Sequence, residues 1–411
     1  MMKRVLLIGA CRPGHKALFE LGYEIVWLMK KSSAFAVDLT LPYQSIYYYS
    51  DMSTQNIVDI VVALHNCRAF DGICTYHDDI QHLAIAISEA IDVQYGVDSR
   101  LAELAHDKYQ TRQVLQAANI EQVECHLAQD EKSFDRYINQ MTFPAIVKPY
   151  AGTGSSGISI LYYPHQAAEA LTRLKACGDD FPVLIEGYLQ GREFSVEAIS
   201  ENGQHRIVAV TEKFIDHKTF VEMGHVVPAR ITDSEHQSID DYVSRVLTAL
   251  EVIQGLTHTE VILTAKGPQI IETHTRAGGD RITDLVKFST HVDLYQLYAK
   301  QATGTKIMPL LPDTIVAEQA SAVWFLCANL DDNASLQSIE NVEEVRGIKY
   351  VREVKLMKEP GSRMGSFKDS FSRAAMIVAV GRDSDEALAN AQRAAAMLTL
   401  KLTWSQPVIE H

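Results

Sequence analysis

This sequence predicts an α/β domain followed by α+β domains, and three observations lead there. Between residues 1 and 105, short apolar runs alternate with helical stretches, as in an open parallel sheet. From 106 to 310 strands follow one another and include a tight hairpin. From 311 to 411 two strands precede a single helix. A chain of 411 residues can give each region its own core.

The elements follow in order. Arg4–Ile8 reads as a strand, His15–Leu21 as a helix and Glu24–Leu28 as a second strand; Asp71–Thr75 is a later strand, followed by the helical Ile80–Ala90. The apolar start breaks at Gly9, before Arg12-Pro13-Gly14-His15, which fits a buried strand better than a signal peptide. A helix should begin at Asp107, whose carboxylate can cap it, and run through Val114, Leu115 and Ala118. The buried strand Ala145–Lys148 stops at Pro149 and a Gly/Ser loop follows. Ser159–Tyr162, Val183–Ile185, Glu193–Ile199 and Arg206–Thr211 are further strands, and a helix at Ile239–Leu250 precedes a hairpin over Thr257–Thr273. Strands at 321–327 and 374–380 come next. Asp383 and Glu386 then form a capping box for a helix with the stripe Leu388, Ala391, Ala395, Leu398 and Leu402.

Composition narrows the class. Hydrophobic residues make up 47% and charged residues 22%, ordinary for a globular chain. Lys and Arg number 38 against 52 Asp and Glu, a net charge of −14. That sign disfavours nucleic acid or anionic membrane as partner, because both need concentrated Lys and Arg. No apolar run approaches the roughly 18 residues of a bilayer span. The six cysteines show no CxxC pair and no ligand-like spacing to histidine, so reduced thiols in a cytoplasmic protein are expected.

Two segments carry chemistry. The first, Ala151-Gly152-Thr153-Gly154-Ser155-Ser156-Gly157, follows Lys148 and lies between two predicted strands. Glycines let backbone N–H groups approach an anion and the serines add hydroxyl donors, so the loop can wrap phosphates. It is not a Walker A loop, and alone it is equally a plain hairpin connection. Lys148 alternates onto one face of an apolar strand, where a buried ammonium needs a partner such as a phosphate; otherwise it reaches solvent at the strand end.

The second segment is the hairpin. Lys266-Gly267-Pro268 marks its turn, and Glu260 and Glu272 lie symmetrically about residue 266. Opposed residues of an antiparallel pair share a face, with Cβ atoms roughly 5 Å apart. Two carboxylates so placed repel, and a hard divalent cation with oxygen ligands is the natural compensation. If the strand continues, His274 and Arg276 share that face, and Arg276 can grip a carboxylate or phosphoryl group with two hydrogen bonds. A register one residue off would instead make the acids incidental.

In order, these pieces resemble the ATP-grasp superfamily, specifically its L-amino acid ligase branch, which joins amino acids into dipeptides. The likeness is close over about 105–305 and looser over 1–105. It rests on His106-Asp107-Lys108, on Lys148-Pro149 before the Gly-rich loop, and on Glu186-Gly187-Tyr188-Leu189 before Gly191-Arg192-Glu193. Phe220-x-Glu222-x-Gly224-His225-x-x-Pro228 and Glu260 follow, then Glu272-x-x-x-Arg276-x-Gly278-Gly279. The resemblance implies an ATP-grasp fold: a Rossmann-like domain at 1–105, an ATP-grasp domain at 106–310 with a lid at about 145–200, and an α+β subdomain at 311–411. It implies ATP with Mg²⁺ or Mn²⁺. Lys108 and Lys148 would meet phosphates, Lys148 also lying near the adenine. Ser155, Ser156 and Gly157 would close over the β- and γ-phosphates. Glu186, Tyr188 and Leu189 would read the adenine, and Glu193 would hold the ribose. Glu260 and Glu272 would bind the metal, and Arg276 would stabilise the acyl phosphate and tetrahedral intermediates. Glu222 and His225 would border the amino-acid pocket, with Gly279 offering a backbone donor.

Two departures stand out. The family pattern has Asn where this chain has His274, which leaves the third metal ligand open, and Asp280 follows Gly279 beside the substrate pocket. The expected reaction makes an acyl phosphate from one amino acid and passes it to the amine of a second. Alternatives are another acceptor (ammonia, bicarbonate or a purine intermediate) and an inactive nucleotide-binding regulator. A nicotinamide oxidoreductase fits poorly, since Gly9-Ala10-Cys11-Arg12-Pro13-Gly14 is not GxGxxG. Residues 311–411 are expected to complete the pocket or form a homodimer interface.

Overall fold

The structure, a computed structural model, describes residues 2–33, 40–150, 157–328, 334–367 and 369–404. Its first unit is a parallel sheet whose strands lie in the order Ser45–Tyr49, Glu24–Lys30, Arg4–Ile8, Gly72–Thr75. These strands are apolar without alternation because both faces are covered: Val5, Leu7 and Trp27 pack on one side, Leu6, Ile8 and Val26 on the other. The first helix spans Arg12–Glu20, three residues earlier than expected, since Pro13 is well placed in a first turn. The strand Ser45–Tyr49 and the helix Thr54–Cys67, capped by Ser53, complete the alternation. The chain reverses its direction across the sheet between Arg4–Ile8 and Gly72–Thr75, so the loops leaving these two strands bound a crevice suited to a ligand.

An eight-stranded antiparallel sheet forms the middle of the molecule. Its order is Gly267–His274, Gly255–Thr264, Gly191–Glu201, Gln204–Ile215, Glu222–Val227, Ala320–Cys327, Arg373–Gly381, Val351–Leu356. Three of these strands come from residues beyond 311, which therefore extend the central sheet. One face is apolar: Phe194, Val196, Val261 and Ile270 pack against Ile239, Val243, Val246 and Leu247 of the helix Asp233–Ala249. That helix begins six residues before the expected Ile239, because Thr232 and Glu235 cap each other's backbone N–H groups. The opposite face is polar where it borders the cleft, at Glu193, Lys213 and Glu260, and apolar further along, where Ile199, Leu256, Val323 and Val378 join a core with Leu285 and Leu294.

A second antiparallel sheet, ordered Cys125–Ala128, Val183–Gly187, Ala145–Pro149, Ser159–Leu161, packs on Phe134, Ile138 and Leu174 of the helices Glu131–Ile138 and Ala167–Ala176. Asp107 caps the helix Lys108–Ala117, accepting from the Gln110 N–H at 2.8 Å.

The last helix, Ser384–Met397, departs from expectation at both ends. Asp383 accepts from the Glu386 N–H at 2.8 Å, but the Glu386 carboxylate takes the Arg382 N–H at 2.7 Å, so the box closes one residue early. Leu402 lies outside the helix, in the strand Thr399–Trp404 of a three-stranded sheet. Among the described residues, no helix is long and apolar enough to cross a membrane.

Candidate active site

The hairpin that faces the cleft is closed by Ala265-Lys266, with Gly267 at φ +106°. Near the turn the register sets Thr264 against Gly267 and Val261 against Ile270. Continued unbroken, it would oppose Glu260 to Ile271 and turn Glu272 to the wrong face. A β-bulge at Ile271 absorbs one residue, and beyond it Glu260 pairs with Glu272 and His258 with His274. The expected centre at Lys266 was half a residue late, and the bulge restores the pairing. Both backbone groups of Ile270 are tied from outside the sheet. Its N–H donates to the Tyr242 hydroxyl at 3.0 Å, and its carbonyl accepts from Arg112 Nη1 at 2.7 Å. A Tyr242→Phe protein strands that N–H and should lose about 1–3 kcal/mol of stability. Thermal unfolding checks this, and an unchanged melting curve would show that the bulge holds without the hydroxyl.

The polar face continues across the neighbouring strands. Glu260 lies opposite Ser195 and His258 opposite Glu197, while Lys213 lies opposite His225. Lys213, almost wholly buried, holds three carboxylates: Glu193 at 2.8 Å, Glu222 at 2.7 Å and Glu260 at 2.8 Å. Lys108 holds the fourth, Glu272, at 2.9 Å. Burial would raise all these acids. Lys213 and His258 nonetheless keep Glu260 down at about 2, and His274 and Lys108 hold Glu272 well below its usual range. Glu193 goes the other way: burial, with the adjacent Glu260, pushes it up to about 7 against the pull of Lys213. One ammonium does not neutralise three buried acids, and Glu193 is the one among them whose hold on a proton rises. The oxygen donors of Glu260 and Glu272 fit a hard divalent cation, which would take the place of Lys213 and Lys108 beside them.

These groups line a cleft of about 1020 Å³ between the two antiparallel sheets. At one end Lys148, 8% exposed at its side chain, is ion-paired with Glu186. Burial opposes ionisation of Glu186, yet Arg112 and Lys148 hold it at about 2. Arg112 also pairs with Glu121, which burial pushes up to about 7 despite that contact. Glu186 thus lines the cleft with its carboxylate held by two cations. Tyr188 and Leu189 line the cleft itself, as does Glu193, and the Tyr188 N–H donates to the Pro144 carbonyl at 3.0 Å. Ser155 and Ser156 lie outside the described residues. Gly157 is at φ +72°, and a Cβ there would lie 3.3 Å from Pro149 and 3.5 Å from Asp179.

At the other end Arg276 Nε and His274 Nδ1 both donate to Asp78 Oδ2, at 2.6 and 3.0 Å. Asp78 comes from the crevice of the parallel sheet, just after Gly72–Thr75. Burial would raise its carboxyl, but His274 and Arg276 outweigh that and lower it. Gly278 is confined to glycine by contact: a Cβ there would sit 2.8 Å from His258 Nδ1 and 2.9 Å from a Glu197 oxygen. Gly279 lines the cleft.

His225 is fully buried and does not reach the cleft wall; its Nε2 lies 3.7 Å behind both Glu222 and Asp280. These three are the residues whose ligand atoms come within 4.8 Å of one another. Arg373 already donates to Asp280 at 2.6 Å and approaches Glu222 at 3.4 Å, and with Lys213 it supplies the charge a metal would bring.

Sequence reasoning missed Asp78, Arg112, Lys213, Glu197, His258 and Arg373. A clue existed only for Asp78, the carboxyl-edge position of a parallel strand. Lys213, Glu197, His258 and Arg373 are brought in by pairings between distant strands, and Arg112 by the packing of the helix Lys108–Ala117 against both antiparallel sheets.

Comparison with known proteins agrees with this geometry. A family model for the ATP-grasp domain matches residues 141–284, and one for the L-amino acid ligase C-terminal domain 2 matches 331–403. An L-amino acid ligase from Bacillus licheniformis superposes with a TM-score of 0.85 at 19% identity, over 98% of this chain and 99% of that one. Phosphoribosylglycinamide synthetase from Anaerococcus prevotii gives 0.73 at 19% identity, over 98% of this chain and all of the other, 100%. An uncharacterised Sinorhizobium fredii protein is 27% identical over 303 residues, 73% of this chain and 62% of that protein. The carbamoyl phosphate synthase large chain of Clostridium acetobutylicum is 23% identical over 223 residues, 52% of this chain and 20% of that one. The chain thus spans about three-fifths of the first of these sequence relatives and a fifth of the second. By fold and by both family matches, the chain carries an ATP-grasp domain over residues 141–284 and, over 331–403, a region similar to the C-terminal domain 2 of L-amino acid ligases.

Proposed function

We propose that this protein is an ATP-dependent carboxylate–amine ligase that joins two amino acids, releasing ADP and phosphate. The observation that carries the reading is the opposed pair Glu260 and Glu272, set on the wall of a cleft that also holds Lys108, Lys148 and Arg276. Lys148 and Lys108 bind the phosphates, and the segment Tyr188-Leu189 meets the base edge, with Glu193 at the ribose. Ser155, Ser156 and Gly157 belong to the loop that covers the phosphates and excludes water. Glu260 and Glu272 hold the divalent cation, which neutralises charge on the phosphates. The carboxylate of the first amino acid attacks the γ-phosphate; the C–O–P bond forms as ADP leaves. The amine of the second attacks the carbonyl and phosphate departs. Arg276, aimed by Asp78, stabilises the oxyanion of that addition, with the Gly279 N–H as a second donor. Glu222 orients the substrate amine, and His225 supports Glu222 from behind.

The far end of the cleft favours an apolar side chain on one substrate. Phe214, Met223, Ile282 and Trp324 line it, and Asp280, which could have selected a cation, is already neutralised by Arg373. A matrix of amino acids offered singly and in pairs, with ATP, phosphate detection and mass detection of products, tests the function. Phosphate release should require two amino acids, at least one apolar, and should match the amount of dipeptide. Phosphate release with ammonia or bicarbonate as sole acceptor would overturn dipeptide formation.

A further inference from the structure

The loop that follows the hairpin carries two strained residues. Asp280 and Arg281 are consecutive, neither is glycine, and both lie in the left-handed region, at φ +47° and +68°. A residue with a Cβ persists there where its surroundings impose it. Here the last third of the chain does so. Arg281 pairs with Glu353 of the strand Val351–Leu356, and Asp280 pairs with Arg373, the first residue of Arg373–Gly381. Asp280 lines the cleft, 30% exposed at its side chain, together with Phe214, Met223, Ile282 and Trp324. Arg373 lies behind that wall. Its side chain is 1% exposed, and its guanidinium carbon sits 3.8 Å from the centre of the Phe325 ring. Nη1 donates to Asp280 Oδ2 at 2.6 Å and Nη2 to the Glu222 carbonyl at 2.9 Å. Lys213, the neighbouring cation, is divided among Glu193, Glu222 and Glu260.

We propose that Arg373 sets the charge class of the amino-acid side chain that the cleft accepts, by locking Asp280 so that an apolar side chain fits and a cationic one is refused. This rests on reading the far end of the cleft as an amino-acid pocket. A side chain bearing an ammonium would have to shed water against a carboxylate that is already paired, and it would gain little in return. Without Arg373 the balance changes. Asp280 and Glu222, whose ligand atoms lie within 4.8 Å of each other, would stand on the wall one cation short. The side chain of a lysine or arginine substrate would then supply the missing charge. Arg373 falls within 331–403, the region similar to the C-terminal domain 2 of L-amino acid ligases, so choice of substrate and phosphoryl chemistry are built from different parts of the chain.

The test reads binding apart from turnover: equilibrium dialysis of the full chain with labelled leucine, lysine and glutamate, beside phosphate release from ATP with pairs of amino acids. The wild type should bind leucine more tightly than lysine by about tenfold or more. Arg373→Met keeps an apolar stem against Phe325 and should raise the lysine-to-leucine affinity ratio by about tenfold or more. Asp280→Asn suits the left-handed backbone and leaves Arg373 uncompensated, so glutamate should gain on leucine by a similar factor. The double variant is neutral again and should return to leucine. A merely structural Arg373 would weaken all three amino acids alike, and the second change would restore nothing. A wild type that takes lysine as readily as leucine, an unchanged ratio in Arg373→Met, or a double variant that still favours lysine overturns the lock. If circular dichroism shows Arg373→Met unfolded, Asp280→Asn decides, and an unchanged glutamate-to-leucine ratio overturns it. Leucine binding without phosphate release from any pair overturns ligation and leaves the lock standing on the affinities. A wild type that binds neither leucine nor lysine overturns both.

Discussion

A Glu272→Gln protein should fold and bind nucleotide but release phosphate from ATP at less than about one-thousandth of the wild-type rate. The substitution keeps the shape of the side chain and removes one charge from a pair that faces Glu260 across the hairpin. For folding, that loss cuts two ways. Lys108 and His274 lose an ionised partner, at 2.9 and 3.4 Å, while the repulsion from Glu260 disappears. The two roughly offset, so the melting temperature should move little. For catalysis nothing offsets it. The charge that the cation brings to the transferring phosphoryl group is worth several kcal/mol, and about 4 kcal/mol is roughly a thousandfold in rate. Phosphate release at saturating ATP, cation and amino acids, beside a thermal melt, reads both quantities. A rate within tenfold of wild type would remove Glu272 from the metal site and take the central argument with it.

How much of this was readable beforehand follows from which forces are local. The parallel sheet was legible from apolar runs alone, because strands covered on both faces need no partner-specific pattern. The helix at Lys108–Ala117 was legible from its cap at Asp107. The pairing of Glu260 with Glu272 was expected from symmetry about the turn, yet it exists because a bulge at Ile271 corrects a register that would otherwise miss. That bulge is held by Tyr242 and Arg112, each from a separate helix, and no local signal announces it. Lys213 lies just past the expected strand Arg206–Thr211, and nothing local marks it, since its three acidic partners come from three different strands. Glu186 was expected at the base edge; it lines the cleft, and the ion pairs with Lys148 and Arg112 that fix its carboxylate there come from a neighbouring strand and a separate helix. Asp280, expected beside the substrate pocket, is paired with Arg373 from more than ninety residues further on, a partner no local pattern announces. Type and order of elements are local properties; which charges end up paired is a property of the whole sheet.

The largest loss of stability is expected from Arg112→Met. Arg112 is 3% exposed at its side chain and donates to Glu186 at 2.6 Å, to the Ile270 carbonyl at 2.7 Å, and to Glu121. Removing one partner of a buried ionic cluster costs about 3–5 kcal/mol, because acids remain that water cannot reach. Here Lys148 still covers Glu186, and Glu121, already near 7, can take up a proton, so the loss should fall toward the lower end of that range. The origin of the loss is separable by a second change. If stranded charge is the cause, Glu121→Gln added to Arg112→Met should restore part of the stability, although the same change in the wild type removes a good ion pair and lowers it. If packing is the cause, the two losses should simply add. Domains of a chain this long need not melt together, so the comparison should follow the transition that nucleotide shifts upward. A melt of Arg112→Met indistinguishable from wild type would mean that the cluster contributes nothing to holding the strand Val183–Gly187 against the central sheet. Nucleotide binding reports the other consequence: without the donor to Ile270 the bulge loosens, Glu272 loses its fixed place opposite Glu260, and cation-dependent affinity for ADP should fall more than cation-free affinity.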